Sequence, residues 1–240
     1  MRAEFDAVLT DYQPSEHARR VIRDSTFVVL TGPSGAGRNT IIRELDKTDR
    51  YHFVISTTTR PPRYNNGVLE QNGREYWFID ERKMLDLLKE GEFLEAEVIH
   101  GQQVSGTSVA ELEIASREHK IAIADVDIAG IANILHAKTD SIAALVFPPD
   151  FESWQKRLLG RGGMDAQQLK RRLETAVRIF ALAEDERYRI VINDTVEHAS
   201  QQVRAMAEQG VRDPIPRNEA REIARRLRED TLVRLAKMSD

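Results

Sequence analysis

The chain has 240 residues, 41% of them apolar, a net charge of −4 and no cysteine. That is enough to bury the core of one domain with extensions or of two small ones, and it excludes a disulfide framework, cysteine-ligated zinc and redox chemistry at sulfur. Mixed charges without a basic excess argue against nonspecific nucleic-acid binding. No apolar run approaches the roughly 20 residues that span a bilayer, and the opening MRAEFDAVLTDYQ lacks the apolar stretch of a signal peptide. A soluble, cytoplasmic protein with no membrane or nucleic-acid partner is expected.

Residues 1–26, punctuated by Pro14, read as an N-terminal helical extension. FVVLT at 27–31 is an apolar, β-branched run of the length of a buried strand; the glycine-rich GPSGAGRNT (32–40) follows directly, and NTIIREL then reads as helix. Strand, glycine loop and helix form the context a phosphate-binding loop needs. Residues 51–107 hold short strand-like runs (HFVISTTTR, REYWFI, EFLEAEVI) around one helix, ERKMLDLLKEG, and are expected to form an inserted α+β lobe. The apolar runs 120–128, 141–147 and 188–193 alternate with helical stretches, the pattern of a parallel sheet covered by helices. Residues 151–186 are helical and arginine-rich, with a break at RGG (161–163). After Pro214 and Pro216 the C-terminal piece carries Ala220, Ile223, Leu227, Leu235 and Met238 as a partial apolar stripe. The fold class is therefore α/β. The stripe needs cover from the chain's own core or from a second copy, so homo-oligomerisation through the terminal helices is open.

Two motifs carry phosphate chemistry. In Gly32-Pro33-Ser34-Gly35-Ala36-Gly37 the missing side chains let backbone N–H groups approach phosphate oxygens at a helix N-terminus. Such a loop normally continues with a lysine for the outer phosphates and a hydroxyl for Mg²⁺; here Arg38 and Asn39 stand in those places, with Thr40 next door. Arginine keeps the charge but is longer, planar and forked. The second motif, STTTRPPR, sets Arg60 and Arg63 three apart across two prolines, two guanidinium forks able to clamp a phosphate monoester.

Taken together, GPSGAG, STTTRPPR, REYWF, GEFLEAEVIHG, DVDIAG, FPPDFESWQKRLLGRG, KRRL and VIND occur in the order seen in guanylate kinases, and the chain resembles that family from about residue 27 to 208. The resemblance implies a P-loop core (27–50, 108–150 and 187–208), a GMP-binding lobe (51–107), a helical lid (151–186) and a C-terminal helical extension (209–240). It implies that Ser56 and Glu95 read the guanine base, a carboxylate accepting from the N1–H and N2–H₂ donors that adenine does not offer. Arg60, Arg63 and Tyr76 would hold the acceptor phosphate, with Thr107 near the base and Asp127 near the acceptor nucleotide. Asp125, with Thr40, would stand near magnesium. Arg157, Arg161 and Arg172 would be the lid arginines, and Asn193 would lie under the adenine.

The sequence departs from the family at Arg38 and Asn39, at Ala129 where the family has glutamine in D-x-D-x-Q-G, in the longer stretch YNNGVLEQNGRE, and at GQQVSGT (101–107), where the second phosphate-binding tyrosine is missing and Ser105 is a partial stand-in. His100 reads as structural. The expected activity is transfer of a phosphoryl group from ATP, with Mg²⁺, to GMP. Attack by an already ionised phosphate needs no general base, so catalysis rests on positioning, charge neutralisation and exclusion of water by closure of the lobe and lid. The changes at Arg38, Asn39 and the tyrosine make slow turnover, or a binding module with little or none, the competing expectation; a kinase for another nucleoside monophosphate is a third, which Glu95 with Ser56 opposes.

Overall fold

The computed structural model describes residues 1–65, 67–99, 103–160 and 165–238. In chain order its elements are α1 (Arg2–Thr10), α2 (Glu16–Asp24), β1 (Phe27–Thr31), α3 (Arg38–Asp46), β2 (Tyr51–Phe53), β3 (Thr57–Thr58), β4 (Tyr64–Asn65), β5 (Val68–Leu69), β6 (Trp77–Phe78), α4 (Glu81–Lys89) and β7 (Phe93–Ile99). Then follow β8 (Gln103–Ser108), α5 (Val109–Arg117), β9 (Ile121–Asp125), α6 (Ile128–Ala137), β10 (Ile142–Phe147), α7 (Phe151–Leu159), α8 (Ala166–Ala181), a short 3-10 turn (Leu182–Glu184), β11 (Arg189–Ile192), α9 (Val196–Gln209) and α10 (Arg217–Ala236). The chain divides into two compact units, one of residues 1–27, 50–124 and 133–140, the other of residues 28–49, 125–132 and 141–240. Parallel strands flanked by helices give the α/β class that the sequence implies.

In the second unit β10 lies between β1 and β11, parallel to both, with Val28 opposite Ile142 and Ala144 opposite Arg189. Every residue of β1 is buried, which is why its sequence is a continuous apolar run with no alternation. Phe147, Trp154 and Phe180 stack edge to face, with ring centroids 5.2 and 5.5 Å apart, and fix α7 and α8 on β10. Both helices start on an aspartate cap: Asp150 accepts from Ser153 N and Asp165 from Gln168 N. The C-terminal helix α10 buries Ala220, Ala224, Leu227 and Thr231 and packs on α8, α7 and β11. Of the stripe read from the sequence, Ala220 and Leu227 are thus covered by this chain itself, whereas Ile223, Leu235 and Met238 are half-buried. Arg217 and Arg221 anchor the start of α10 by donating to the carbonyls of Ala183, Glu184, Asp185 and Tyr188.

In the first unit β2 runs parallel to β9, with Tyr51 opposite Ile121. Parallel pairing therefore begins at Tyr51, inside the stretch that the sequence assigns to the inserted lobe. A four-stranded sheet in the order β6-β3-β8-β7 follows, antiparallel at β3-β8 and β7-β8. The N-terminal extension packs on it. Phe5 of α1 joins Met84, Leu85 and Leu88 of α4 with Phe93 and Val104 in one cluster. Tyr12 donates its hydroxyl proton to Phe93 O (2.7 Å) while accepting from Phe93 N (2.8 Å), and burial pushes its pKa up to about 12. Among the described residues no helix is long and apolar enough to cross a membrane.

Candidate active site

The residues expected to meet the donor lie on the second unit. The loop from Gly32 to Gly37 needs its glycines: a Cβ on Gly32 would lie 2.3 Å from Val146 O, and Gly37 sits at φ 94°, in the left-handed region. Gly37 begins α3 without a side-chain cap, so the N–H groups at the helix start remain available to an anion. Two side chains brace the loop from behind: Trp154 Nε1 donates to Ser34 O (2.8 Å) and Asn193 Nδ2 to Ala36 O (2.6 Å). Asn193 is buried, and its amide N–H is committed to the loop. Pro33 is buried too, whereas Asn39 and Thr40 are exposed on the first turn of α3.

Arg38 turns toward the end of β9, pairing with Asp125 Oδ1 at 2.8 Å and donating to Val126 O at 3.1 Å. Burial pushes the Asp125 carboxyl above its ordinary value, Arg38 pulls it back, and the nearby Asp127 adds to the rise. Asp127 Oδ1 accepts from Gly130 N at the start of α6 (2.8 Å). It lies on the unit that carries the glycine loop. Arg157 on α7 donates to the carbonyls of Asn193 (2.9 Å) and Asp194 (3.2 Å). Arg172 on α8 reaches Ser34 Oγ (3.3 Å) and lines a cavity of about 240 Å³ with Ser34, Gln168, Arg171 and Thr175. Arg161 and His100 lie outside the described residues.

The residues expected to meet the acceptor lie, apart from Asp127, on the first unit. Ser56 joins β2 to β3, and its carbonyl accepts from Trp77 N (2.9 Å). Glu95 on β7 stands opposite Thr107 on β8, and its Oε1 accepts from both Thr107 N (3.1 Å) and Oγ1 (2.8 Å). Arg60 is buried, its guanidinium 5.0 Å from the Tyr76 ring centroid and 5.6 Å from that of Phe78. The side chain of Arg63 is exposed. Ser105, the stand-in for the second tyrosine, donates to Thr58 Oγ1 (2.7 Å).

Two carboxylates that sequence reading missed organise this region. Glu70 takes Arg60 end-on, Oε2 to Nη1 at 2.7 Å and Oε1 to Nη2 at 3.0 Å, and also accepts from Arg63 N (2.9 Å). Glu111 on α5 accepts from His52 Nε2, Ile55 N and Trp77 Nε1. Burial alone would raise the Glu111 carboxyl; the hydrogen bonds from His52, Ile55 and Trp77 outweigh it and hold the group below its ordinary value.

Among the described residues no cluster of three His, Cys, Asp or Glu could cage a cation. Magnesium needs no such cage, since it keeps several waters and binds through one or two protein oxygens plus substrate phosphates. Asp125 fits that demand: its Oδ1 is buried and accepts no hydrogen bond, Arg38 meeting it as a charge only. The exposed Thr40 offers a hydroxyl next to Asn39.

A family model described as guanylate kinase matches residues 24–210. The guanylate kinase of Mycobacterium leprae is 36% identical over 174 residues, covering 72% of this chain and 80% of the relative. That of Rhodococcus jostii is 32% identical over 194 residues, covering 80% and 91%. The crystal structure of guanylate kinase from Anaplasma phagocytophilum shares the fold at a TM-score of 0.55 and 20% identity, over 78% of this chain and 86% of that one. A glycine loop braced from behind, an arginine pair in the turn after β3 and a family match spanning both lead to one conclusion: the chain belongs to the guanylate kinase family.

Proposed function

We propose that this protein transfers the γ-phosphoryl group of ATP to GMP, yielding ADP and GDP. The observation that supports the reading is a carboxylate for guanine on the small sheet (Glu95, set by Thr107) in the same unit as Arg60, Arg63 and Tyr76, on the connections of that sheet, for a phosphate. In the reaction an oxygen of the ionised GMP phosphate forms a bond to the γ-phosphorus while the bond from that phosphorus to the β,γ-bridging oxygen breaks, and ADP carries the electron pair away. No proton need be removed. The N–H groups of Gly35 to Arg38 hold the donor phosphates, and Arg157, Arg161 and Arg172 would neutralise charge around the moving group. Asp125 and Thr40 would hold magnesium, which when bound would supply charge neutralisation on the outer phosphates. Asn193 positions the loop from beneath and so sets the floor of the adenine side. Ser56 would join Glu95 in reading the base, and Asp127 is a further candidate for the acceptor nucleotide.

The engagement of Arg38 by Asp125 and Val126 favours slow turnover, because the cation expected to follow the γ-phosphoryl is already held by protein oxygens. Incubating the purified protein with ATP, Mg²⁺ and AMP, CMP, UMP, dGMP or GMP, and resolving the diphosphates, tests the reading. GDP should dominate. Tight GMP binding without any GDP would make the protein a binding module, and a preference for another monophosphate would overturn the assignment of Glu95.

A further inference from the structure

Arg60 is a buried cation, yet its guanidinium is already answered from within the chain. The Arg60–Glu70 pair is bidentate, and the two side chains are only 8% and 12% exposed. Pro61 O takes a further Nη1 proton (2.9 Å), and Tyr76 and Phe78 flank the guanidinium. The same carboxylate accepts from Arg63 N, and the main chain closes the arrangement from the other side, with Glu70 N donating to Arg63 O at 3.0 Å. One residue thus ties both arginines of the clamp: Arg60 by its side chain, Arg63 by its backbone. The two prolines between them leave the turn few other ways to be fixed.

We propose that Glu70 is a positioning residue of the acceptor site, one that orients Arg60 and the Pro61–Arg63 turn so that the remaining N–H donors of Arg60 and the free fork of Arg63 meet the phosphate of GMP. Three N–H donors of Arg60 are spent on Glu70 and Pro61 O, and a guanidinium has more than these. A carboxylate on the end-on face therefore orients the group without exhausting it. Holding a long side chain in its bound orientation beforehand removes part of the ordering cost of binding. The pair also tempers the site's charge: Arg60 with Glu70 is neutral, so the net positive charge presented to the phosphate comes from Arg63. The bonds from Arg60 and Arg63 N keep the Glu70 carboxyl below its ordinary value, so it stays ionised at neutral pH.

This inference rests on the GMP kinase reading, and its test separates the two. Binding of GMP, guanosine and ATP to the natural protein and to Glu70→Gln is measured by calorimetry, with steady-state KM and kcat for GMP. Glutamine keeps the shape but offers one acceptor to a fork that needs two. The expected result is a rise of about tenfold in Kd and KM for GMP, with guanosine and ATP affinities unchanged and kcat changed far less than KM. Glu70→Asp, which keeps the charge but withdraws it by one methylene, should fall between the two and serves if the glutamine variant does not fold. Tighter GMP binding by Glu70→Gln would overturn the proposal by making Glu70 a competitor of the phosphate. Equal weakening of GMP and guanosine would overturn it by making Glu70 a prop of the lobe. Failure of the natural protein to bind GMP would refute the functional reading itself.

Discussion

The carboxamide of Asn193 lies against Gly37 so closely that a Cβ on the glycine would stand 2.2 Å from its Nδ2, the atom that donates to Ala36 O. Loop and brace therefore constrain each other. Asn193→Ala leaves the Ala36 carbonyl without its partner, at a cost of about 1–3 kcal/mol, and should weaken ATP binding while leaving GMP binding unchanged. Gly37→Ala adds backbone strain to the collision and should do more. Calorimetry with each nucleotide checks this; equal losses for both would show general damage to the fold.

Arg38→Lys withdraws the fork from Asp125 and Val126 and returns a compact ammonium to the loop. With Asn39→Ser supplying a hydroxyl, kcat for GMP should rise by about tenfold or more, a barrier change of roughly 1.4 kcal/mol. Steady-state kinetics decide the matter. A slower lysine variant would mean that the loop has adapted to arginine.

Glu95→Ala should remove guanine selectivity, because the base loses an acceptor for two donors, an interaction of about 2–4 kcal/mol. Thr107 should then carry an unanswered hydroxyl where it now donates to Glu95. The ratio of GMP to AMP turnover is the readout, and an unchanged ratio refutes the role.

Arg60 and Arg63 should separate in a way the sequence does not suggest. Both alanine variants should weaken GMP and spare guanosine, since the forks address the phosphate. Arg60→Ala also leaves the largely buried Glu70 without its partner and should cost on the order of 3 kcal/mol in folding stability. Arg63→Ala, at an exposed side chain, should cost little. Denaturant unfolding alongside binding tests the contrast.

Glu111 sets a pH dependence. Its folded pKa is held below the ordinary 4.5, so within that window the unfolded chain binds more protons than the native one and stability rises with pH. The contribution is full above that ordinary value and drains away as pH falls through the lowered one. Glu111→Gln should flatten this stretch of the stability curve and lower stability at neutral pH by about 1–3 kcal/mol. Urea titrations across the acid range read it, and a parallel shift at all pH values would contradict the account.

What the sequence makes legible follows from how local each signal is. Phe27–Thr31 and the glycine loop are readable because a buried strand is an apolar run and a phosphate loop is a run of glycines. The Arg60 and Arg63 pair stands out in the sequence because its members are three residues apart across two prolines. Glu70 is not, since it lies in the polar stretch YNNGVLEQNGRE and gains its meaning from a partner ten residues away across a turn. Glu111 looks like any charge on a helix until Ile55 N and Trp77 Nε1 close on it. In α10 the stripe read from large apolar residues includes Leu235 and Met238, whereas the buried face runs through Ala220, Ala224, Leu227 and Thr231. Small residues allow the close approach of α8, which a search for large side chains passes over.

The Tyr12 hydroxyl also bears on how one folded molecule meets another. β7 ends its sheet, and a terminal strand exposes N–H and C=O groups that can recruit a strand from another molecule. By engaging both main-chain groups of Phe93, Tyr12 blocks that margin at its N-terminal end, with Phe5 of the same extension sealed into the cluster beneath. The first residues of this chain thus occupy main-chain groups at the start of an edge strand that would otherwise be open to a strand from another molecule.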